Sequence, residues 1–168
     1  MKSCKRKYCK SCGGLRTEVN TDVMSHGYFR SKCKVCFKVS SKQYEKTYEG
    51  YLVRSYRNMK SRVSGVLKEK RHLYEGKEIC KKEEFYAWSK QDTSYRLLFD
   101  RWVENSYNVR LSPSVDRIDP CLGYIEGNMR WVTHDVNSLL GLYSKIGKHI
   151  TLEDAIAICE ENLRRSLL

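Results

Sequence analysis

Two oxygen-bearing side chains in the second half of the sequence, Asp116 and Asn137, could ligate one metal ion. Residues 114–119 and 129–132 have the composition of two short strands, a loop rich in turn residues joins them, and residues 133–143 fit a helix. A strand–loop–strand–helix unit can bring a carboxylate at a strand end and an amide oxygen at a helix start onto one hard cation. Residues 116–137 are therefore the candidate catalytic stretch.

A second group of metal-ligating residues lies near the N-terminus, where two C-x-x-C pairs are separated by 20 residues. The pairs are Cys9 with Cys12 and Cys33 with Cys36. This spacing predicts two turns folded onto one tetrahedral zinc ion, and four thiolates leave no open position for a reacting water. We therefore expect a structural, zinc-ribbon-like site with short strands between the pairs. Cys4 stands outside the paired spacing and is either a spare thiol or a replacement ligand.

Amphipathic helices are expected around these two groups. Apolar residues recur at three- and four-residue steps over residues 44–63, which predicts a helix ending near Gly65. Shorter helices fit residues 83–89 and 93–104, and Thr151 begins a capping box before a last amphipathic helix. The aromatic residues expected to pack in the core are Phe85, Trp88, Phe99 and Trp102.

The face of the 44–63 helix opposite its apolar stripe is basic. The candidates for contact with a nucleic-acid backbone, continued beyond the helix by one residue, are Arg54, Arg57, Lys60, Arg62 and Arg71. Contact with DNA phosphates and simple solvation both explain a face of this kind.

The charge of the chain is unevenly distributed. In 168 residues, Lys and Arg outnumber Asp and Glu by 32 to 20. Residues 1–71 contain 19 basic and 5 acidic residues, a net charge of +14, whereas residues 72–168 have a net charge of −2. This asymmetry favours a polyanionic partner that is contacted mainly through the first half of the chain.

The hydropathy of the sequence bears on where the protein is found. No run approaches the ~18 apolar residues that a membrane span needs, and the N-terminal segment lacks the apolar core of a signal peptide. We expect an intracellular protein with no membrane partner. In reducing surroundings, clustered cysteines bind metal more readily than they form disulfides.

Three motifs of the candidate catalytic stretch occur in a recognisable order. They are D-R-I-D at residues 116–119, G-Y at residues 123–124 and N-x-R-W-V-T at residues 128–133. In this order they resemble the HNH, or ββα-metal, endonucleases, and more closely the branch common among free-standing homing nucleases of phages. The zinc-containing, rare-cutting HNH restriction enzymes are similar too. The resemblance extends to the two cysteine pairs and to residues 56–63, 72–74 and 85–88.

By this resemblance, Asp116 and Asn137 are the two protein ligands of a catalytic Mg²⁺ or Mn²⁺ ion, and Asn128 fixes the loop between the strands. The implied activity is hydrolysis of phosphodiester bonds in double-stranded DNA by a homing-type enzyme in a phage-infected bacterium. The protein would act as a monomer or a homodimer. The alternatives are a restriction endonuclease of a host defence system and a non-catalytic, zinc-containing DNA-binding protein.

The sequence departs from the family pattern at Arg117. The commonest HNH pattern has a histidine at this position as general base, and arginine cannot accept a proton near neutral pH. Arg117 is better suited to hold a phosphate and stabilise charge in the transition state. The proton acceptor is then expected elsewhere, with His72 as first choice and His134, three residues before Asn137, as second.

Together these features predict an α+β protein with four segments. A zinc-ribbon-like module covers residues 1–37, and a helical segment that contacts DNA covers residues 38–110. The ββα-metal unit covers residues 111–145, and an amphipathic helix closes the chain over residues 146–168.

Overall fold

The computed structural model describes residues 7–66 and 68–166. The chain has the predicted α+β composition, with seven α-helices and one antiparallel sheet of two strands among these residues. It forms two compact units, and the boundary between Val53 and Arg54 falls inside the second helix. The elements are α1 (Lys34–Tyr44), α2 (Tyr48–Val63), α3 (Arg71–Tyr74), α4 (Lys82–Gln91), α5 (Thr93–Glu104), β1 (Pro113–Arg117), β2 (Met129–Thr133), α6 (His134–Lys145) and α7 (Leu152–Arg165), with 3-10 turns at Lys68–Lys70 and Val109–Leu111.

The part of the first unit that precedes α1 is held by turns. In place of the expected short strands, the structure has two isolated bridges between single residue pairs. The interior is polar, because the guanidinium of Arg16 is buried and donates to the carbonyl oxygens of Phe29 and Arg30 at 3.3 and 2.7 Å. A module this small buries too little apolar surface to fold on a hydrophobic core alone.

Two helices occupy the region around residue 44, where a single helix was predicted to begin. α1 ends at Tyr44 and α2 begins at Tyr48. The chain reverses sharply between them, and a Cβ at Gly50 would lie 1.8 Å from the carbonyl oxygen of Tyr44, so the reversal requires glycine there. α1 has no buried residue. Its apolar residues Val35, Phe37 and Val39 are exposed.

The core of the second unit is an aromatic cluster around Trp131. Its ring lies 4.5 Å from that of Tyr95 and stacks on that of Trp88 at 5.9 Å, with an angle of 10° between the planes. The cluster joins α4 and α5 to β2. The four aromatic residues predicted to pack in the core all belong to it, namely Phe85, Trp88, Phe99 and Trp102.

The two strands pair in an antiparallel register that places Asp116 directly opposite Arg130. β1 ends at Arg117, two residues earlier than predicted. Beyond it the chain turns, because the carboxylate of Asp119 accepts a hydrogen bond from the backbone N–H of Cys121 at 2.7 Å. The strand thus ends one residue after the candidate ligand.

Helix α6 follows β2 without a loop. The hydroxyl of Thr133, the last residue of β2, accepts from the N–H of Val136 at 3.3 Å and caps the helix. α7 packs on α6 through a cluster that contains Val136 and the fully buried Ala155. Its start confirms Thr151 as the N-cap, since the hydroxyl of Thr151 accepts from the N–H of Asp154 at 3.1 Å.

In residues 7–66 and 68–166, no helix combines the length and the apolar character needed to cross a membrane.

Candidate functional site

The amide of Asn137 is fixed against the first strand of the sheet. Its Nδ2 donates to the hydroxyl of Ser114 at 2.6 Å and to the carbonyl of Val115 at 3.2 Å. Val115 directly precedes Asp116, so the first turns of α6 reach the end of β1 at the candidate ligand. Both Nδ2 protons are used toward the strand, which leaves the Oδ1 of Asn137 as an acceptor for a cation.

The carboxylate of Asp116 is largely buried and has a cation beside it. Its side chain is 13 % exposed, and its Oδ2 accepts from the Nε of Arg130 at 2.8 Å. Burial raises the pKa of Asp116, because desolvation outweighs the opposing attraction of Arg130. A desolvated carboxylate of this kind favours any additional positive charge that can reach it.

A carboxylate oxygen and an amide oxygen form a suitable partial ligand set for a hard divalent cation. Mg²⁺ prefers oxygen ligands, keeps several waters and binds through few protein groups. Asp116 and Asn137 would supply two such oxygens and leave positions for water and for a phosphate oxygen. These two oxygens are of the chemical type that an ion of the Mg²⁺ class prefers.

Arg117 lies in a cluster of aromatic and basic side chains. Its Nη1 donates to the carbonyls of Leu122 at 2.9 Å and Leu73 at 3.4 Å, and its guanidinium lies 4.3 Å from the ring centre of Tyr74. The Nε and Nη2 of Arg117 make no hydrogen bond within the described parts of the chain, so they can donate to a phosphate. Because successive side chains of a strand alternate, Arg117 and Asp116 project to opposite faces of β1.

Arg62 belongs to the same cluster. It donates to the phenol of Tyr124 at 3.0 Å, and the rings of Tyr74 and Tyr124 stack at 6.0 Å. Burial raises the pKa of Tyr124 to about 12, so this phenol stays protonated and is no candidate for the general base. Arg62 is thus half-buried between tyrosines and does not lie on the exposed basic face where it was expected.

The other basic residues proposed to contact DNA have different surroundings. Arg57 and Lys60 are exposed on α2, whereas Arg54 is half-buried. Arg71 donates to both carboxylate oxygens of Glu75 and is neutralised by it. Arg57 and Lys60 are therefore the members of this set best placed to contact a phosphate.

Asn128 is buried and holds the loop between the two strands. Its Nδ2 donates to the carbonyls of Gly123 at 2.8 Å and Asp119 at 3.1 Å. Its Oδ1 accepts from the backbone N–H of Asp119 at 2.8 Å. These three bonds tie both halves of the loop to the start of β2.

The two candidate general bases lie at the surface. His134 is the exposed first residue of α6, one turn before Asn137. His72 is exposed on α3, and its neighbour Leu73 accepts the hydrogen bond from Arg117 that brings α3 to the end of β1. Both histidines are thus on segments that meet the strand–helix unit.

The four cysteines of the two C-x-x-C pairs converge in the first unit. The sulfurs of Cys9, Cys12, Cys33 and Cys36 all lie within 4.8 Å of one another, and those of Cys12 and Cys33 are 4.0 Å apart. Four sulfurs bound at about 2.3 Å to one tetrahedral ion stand about 3.8 Å apart, so the cluster fits such an ion. Cys4, the possible replacement ligand, lies outside the described residues.

The four thiols of the cluster do not ionise alike. Backbone hydrogen bonds at Cys12, Cys33 and Ser11 lower the pKa of Cys9 to about 6. Hydrogen bonds with the thiols of Cys33 and Cys12 raise the pKa of Cys36 to about 12. The hydrogen bonds within the cluster thus make the thiol of Cys9 ionise more readily than that of Cys36.

The structure also shows what the sequence did not indicate. Arg130, which neutralises Asp116, was not among the predicted site residues. The signal that could have identified it is the strand register, which sequence periodicity leaves undetermined.

No family model, no curated protein and no solved structure matches the chain. The case for a function therefore rests on the chemistry of these residues.

Proposed function

We propose that the chain is a divalent-metal-dependent DNA endonuclease of the HNH type, which hydrolyses phosphodiester bonds in double-stranded DNA. The observation that carries the proposal is the contact of Asn137 with Ser114 and Val115, the two residues that precede Asp116 in β1. A buried carboxylate at the end of β1 and an amide whose Oδ1 remains available come from a β1–β2–α6 unit. The excess of basic residues in the first 71 residues supports DNA as the substrate.

In this proposal the four clustered cysteines hold a zinc ion that organises the first unit. The ion would be structural, because four thiolates fill a tetrahedral shell and leave no position for water. Its role would be to stabilise the first unit, in which much of the positive charge lies.

Each candidate residue has its own role in the proposed hydrolysis. Asp116 and Asn137 hold the catalytic ion, which when bound would stabilise charge on the scissile phosphate and the leaving 3′ oxygen. Arg117 donates through its Nε and Nη2 to a phosphate. His72, with His134 as the alternative, accepts the proton of the attacking water. Asn128 keeps the loop in place.

The cellular role that we propose is homing, in the cytoplasm of a phage-infected bacterium. A restriction role would place a methyltransferase gene beside the coding region. The ends left on a digested phage genome would give the target site and show whether one strand or both are cut.

The test of the proposal is cleavage of long phage or plasmid DNA by pure protein with Mg²⁺ or Mn²⁺. We expect Asp116→Ala and Asn137→Ala each to lower the cleavage rate by more than about 100-fold. DNA affinity in the absence of a divalent ion should change little, since phosphate contacts elsewhere carry most of the binding. Asp100→Ala, which removes an exposed carboxylate of α5, is the control and should cut normally. Full activity in either ligand variant would refute the metal site.

The second candidate function is DNA binding without catalysis. The observation that favours it is the ion pair of Asp116 with Arg130, which supplies the carboxylate with a counter-ion from within the chain. Intact DNA binding without cleavage by the wild-type protein, across Mg²⁺, Mn²⁺ and several DNAs, would support this alternative.

A further inference from the structure

The ion pair between Asp116 and Arg130 involves the carboxylate that the proposed function assigns to a metal ion. The two residues face each other across the antiparallel strands, and Arg130 Nε lies 2.8 Å from Asp116 Oδ2. The side chain of Arg130 is 29 % exposed and that of Asp116 is 13 % exposed. The guanidinium can therefore reach solvent more readily than the carboxylate can.

A guanidinium and a divalent ion compete for one carboxylate at this site. Two cations within a few ångström repel each other strongly where water is largely excluded. A divalent ion on Asp116 therefore weakens the hold of Arg130. A displaced guanidinium is stabilised by another anion, and its planar fork matches the oxygens of a phosphodiester.

We propose that Arg130 is a positioning residue that couples metal binding to DNA binding. In the free protein it neutralises Asp116, and on the complex a backbone phosphate binds its guanidinium while the divalent ion binds the carboxylate. The inference rests on the proposed function, because it requires a divalent-ion site at Asp116. Two consequences follow: the free protein binds divalent ions weakly, and DNA and metal strengthen each other's binding by the same factor.

The first experiment measures Mn²⁺ binding to the full zinc-loaded chain without DNA, by calorimetry. Asp116→Asn identifies which binding belongs to this site. We expect Arg130→Met to bind Mn²⁺ about tenfold more tightly than the wild type, because the competing cation is gone. Arg130→Lys keeps a cation and should bind as weakly as the wild type. Arg101→Met, which breaks the ion pair with Glu160 elsewhere in the second unit, should leave Mn²⁺ affinity unchanged.

The second experiment measures the affinity for a labelled duplex with and without Ca²⁺, an ion that shares the preference for oxygen ligands. Ca²⁺ should tighten DNA binding in the wild type, and Arg130→Met should lose most of that gain. The effect of Ca²⁺ on the DNA affinity of Asp116→Asn measures the part that comes from general screening of charge. A purely structural Arg130 would change stability without moving either affinity.

The outcomes separate the inference from the function on which it rests. If Mn²⁺ binding depends on Asp116 but Arg130→Met binds no more tightly, the coupling is refuted and the metal site stands. If no protein shows Asp116-dependent binding of Mn²⁺, with or without DNA, both the metal site and the coupling are refuted. Should Arg130→Met fail to fold, Arg130→Gln supplies a second neutral side chain, and the same two criteria apply to it.

Discussion

Asp116 is a largely buried carboxylate that has a cation beside it. Burial raises its pKa, yet a guanidinium 2.8 Å away stabilises its ionised form. An ion pair at such a position adds little net stability, because the desolvation of both charges offsets much of their attraction. The desolvation cost of burying Asp116 is understandable if its carboxylate has to bind another cation.

The candidate ligands could be proposed from sequence because their types and spacing are local features. Asp116 is the next-to-last residue of a strand and Asn137 is the fourth residue of a helix, and both elements are short and strongly patterned. Arg130 could not be proposed in the same way. Its role depends on the register of β1 and β2, which is set by the turn and the core rather than by neighbouring residues.

The general base is the residue-scale assignment that most needs a test. We expect His72→Ala to lower the cleavage rate by about 100-fold at neutral pH, because loss of a positioned base typically costs this much. Rates are best measured under single-turnover conditions, so that product release does not mask the chemical step. Metal binding and DNA affinity have to be measured for the same variant, and both should be unchanged.

His134→Ala is the matched variant, since His134 is also exposed and lies one turn from Asn137. A reversed result, with His134→Ala slow and His72→Ala normal, would move the role to the start of α6. Normal rates in both would exclude a histidine from these two positions.

At the scale of elements, prediction succeeded where a helix has an apolar stripe or a cap. The stripes of α4 and α5 led to the aromatic core, and Thr151 marked the start of α7. It failed for α1, which buries no residue and begins at the second cysteine pair. Whether this segment forms a helix depends on its tertiary contacts. The periodicity of apolar residues carries no information about those contacts.

The loop between the strands depends on a glycine in a crowded position. A Cβ at Gly123 would lie 1.9 Å from the backbone oxygen of Glu78, next to the bridge between Ile79 and Tyr124. We expect Gly123→Ala to lower the free energy of unfolding of the second unit by about 3 kcal/mol or more, because backbone must move. Urea unfolding followed by tryptophan fluorescence measures this, since all three tryptophans belong to that unit.

Gly141→Ala provides the contrast on α6. A Cβ there meets nothing within 4 Å, and the position is exposed. The alanine should raise the free energy of unfolding by about 0.5–1 kcal/mol through helix propensity. Equal effects of the two substitutions would contradict the steric argument for Gly123.

The four-cysteine cluster is expected to be what orders the turns before α1. We predict one zinc per chain and its loss on chelation or in Cys33→Ser. Amides such as those of Cys9 and Lys10, which donate to Gly14 and Ser31, should then exchange at least about tenfold faster. Elemental analysis and hydrogen exchange make the two measurements. Cys121→Ser, which replaces an exposed cysteine outside the cluster, should keep both the zinc and the protection.

At the scale of the whole molecule, the charge is distributed unevenly along the chain. Residues 1–71 have a net charge of +14, and the remainder has −2. Attraction to a polyanion should therefore depend on basic side chains of the first part, among which Arg57 and Lys60 are exposed. Sequence was sufficient for this expectation, because charge is additive and needs no knowledge of packing.

The salt dependence of DNA binding tests that expectation. We expect the affinity of Asp116→Asn, which binds without cutting, to fall by about tenfold or more between 50 and 200 mM salt, as counterions compete for the phosphates. Adding Arg57→Gln and Lys60→Gln should reduce the slope of log K against log salt by about 1.8, because two phosphate contacts are lost. The charge-matched pair Lys90→Gln and Lys145→Gln, both exposed, should leave the slope nearly unchanged. If both pairs lower the slope equally, attraction follows net charge alone, and the exposed part of α2 has no special place on the DNA.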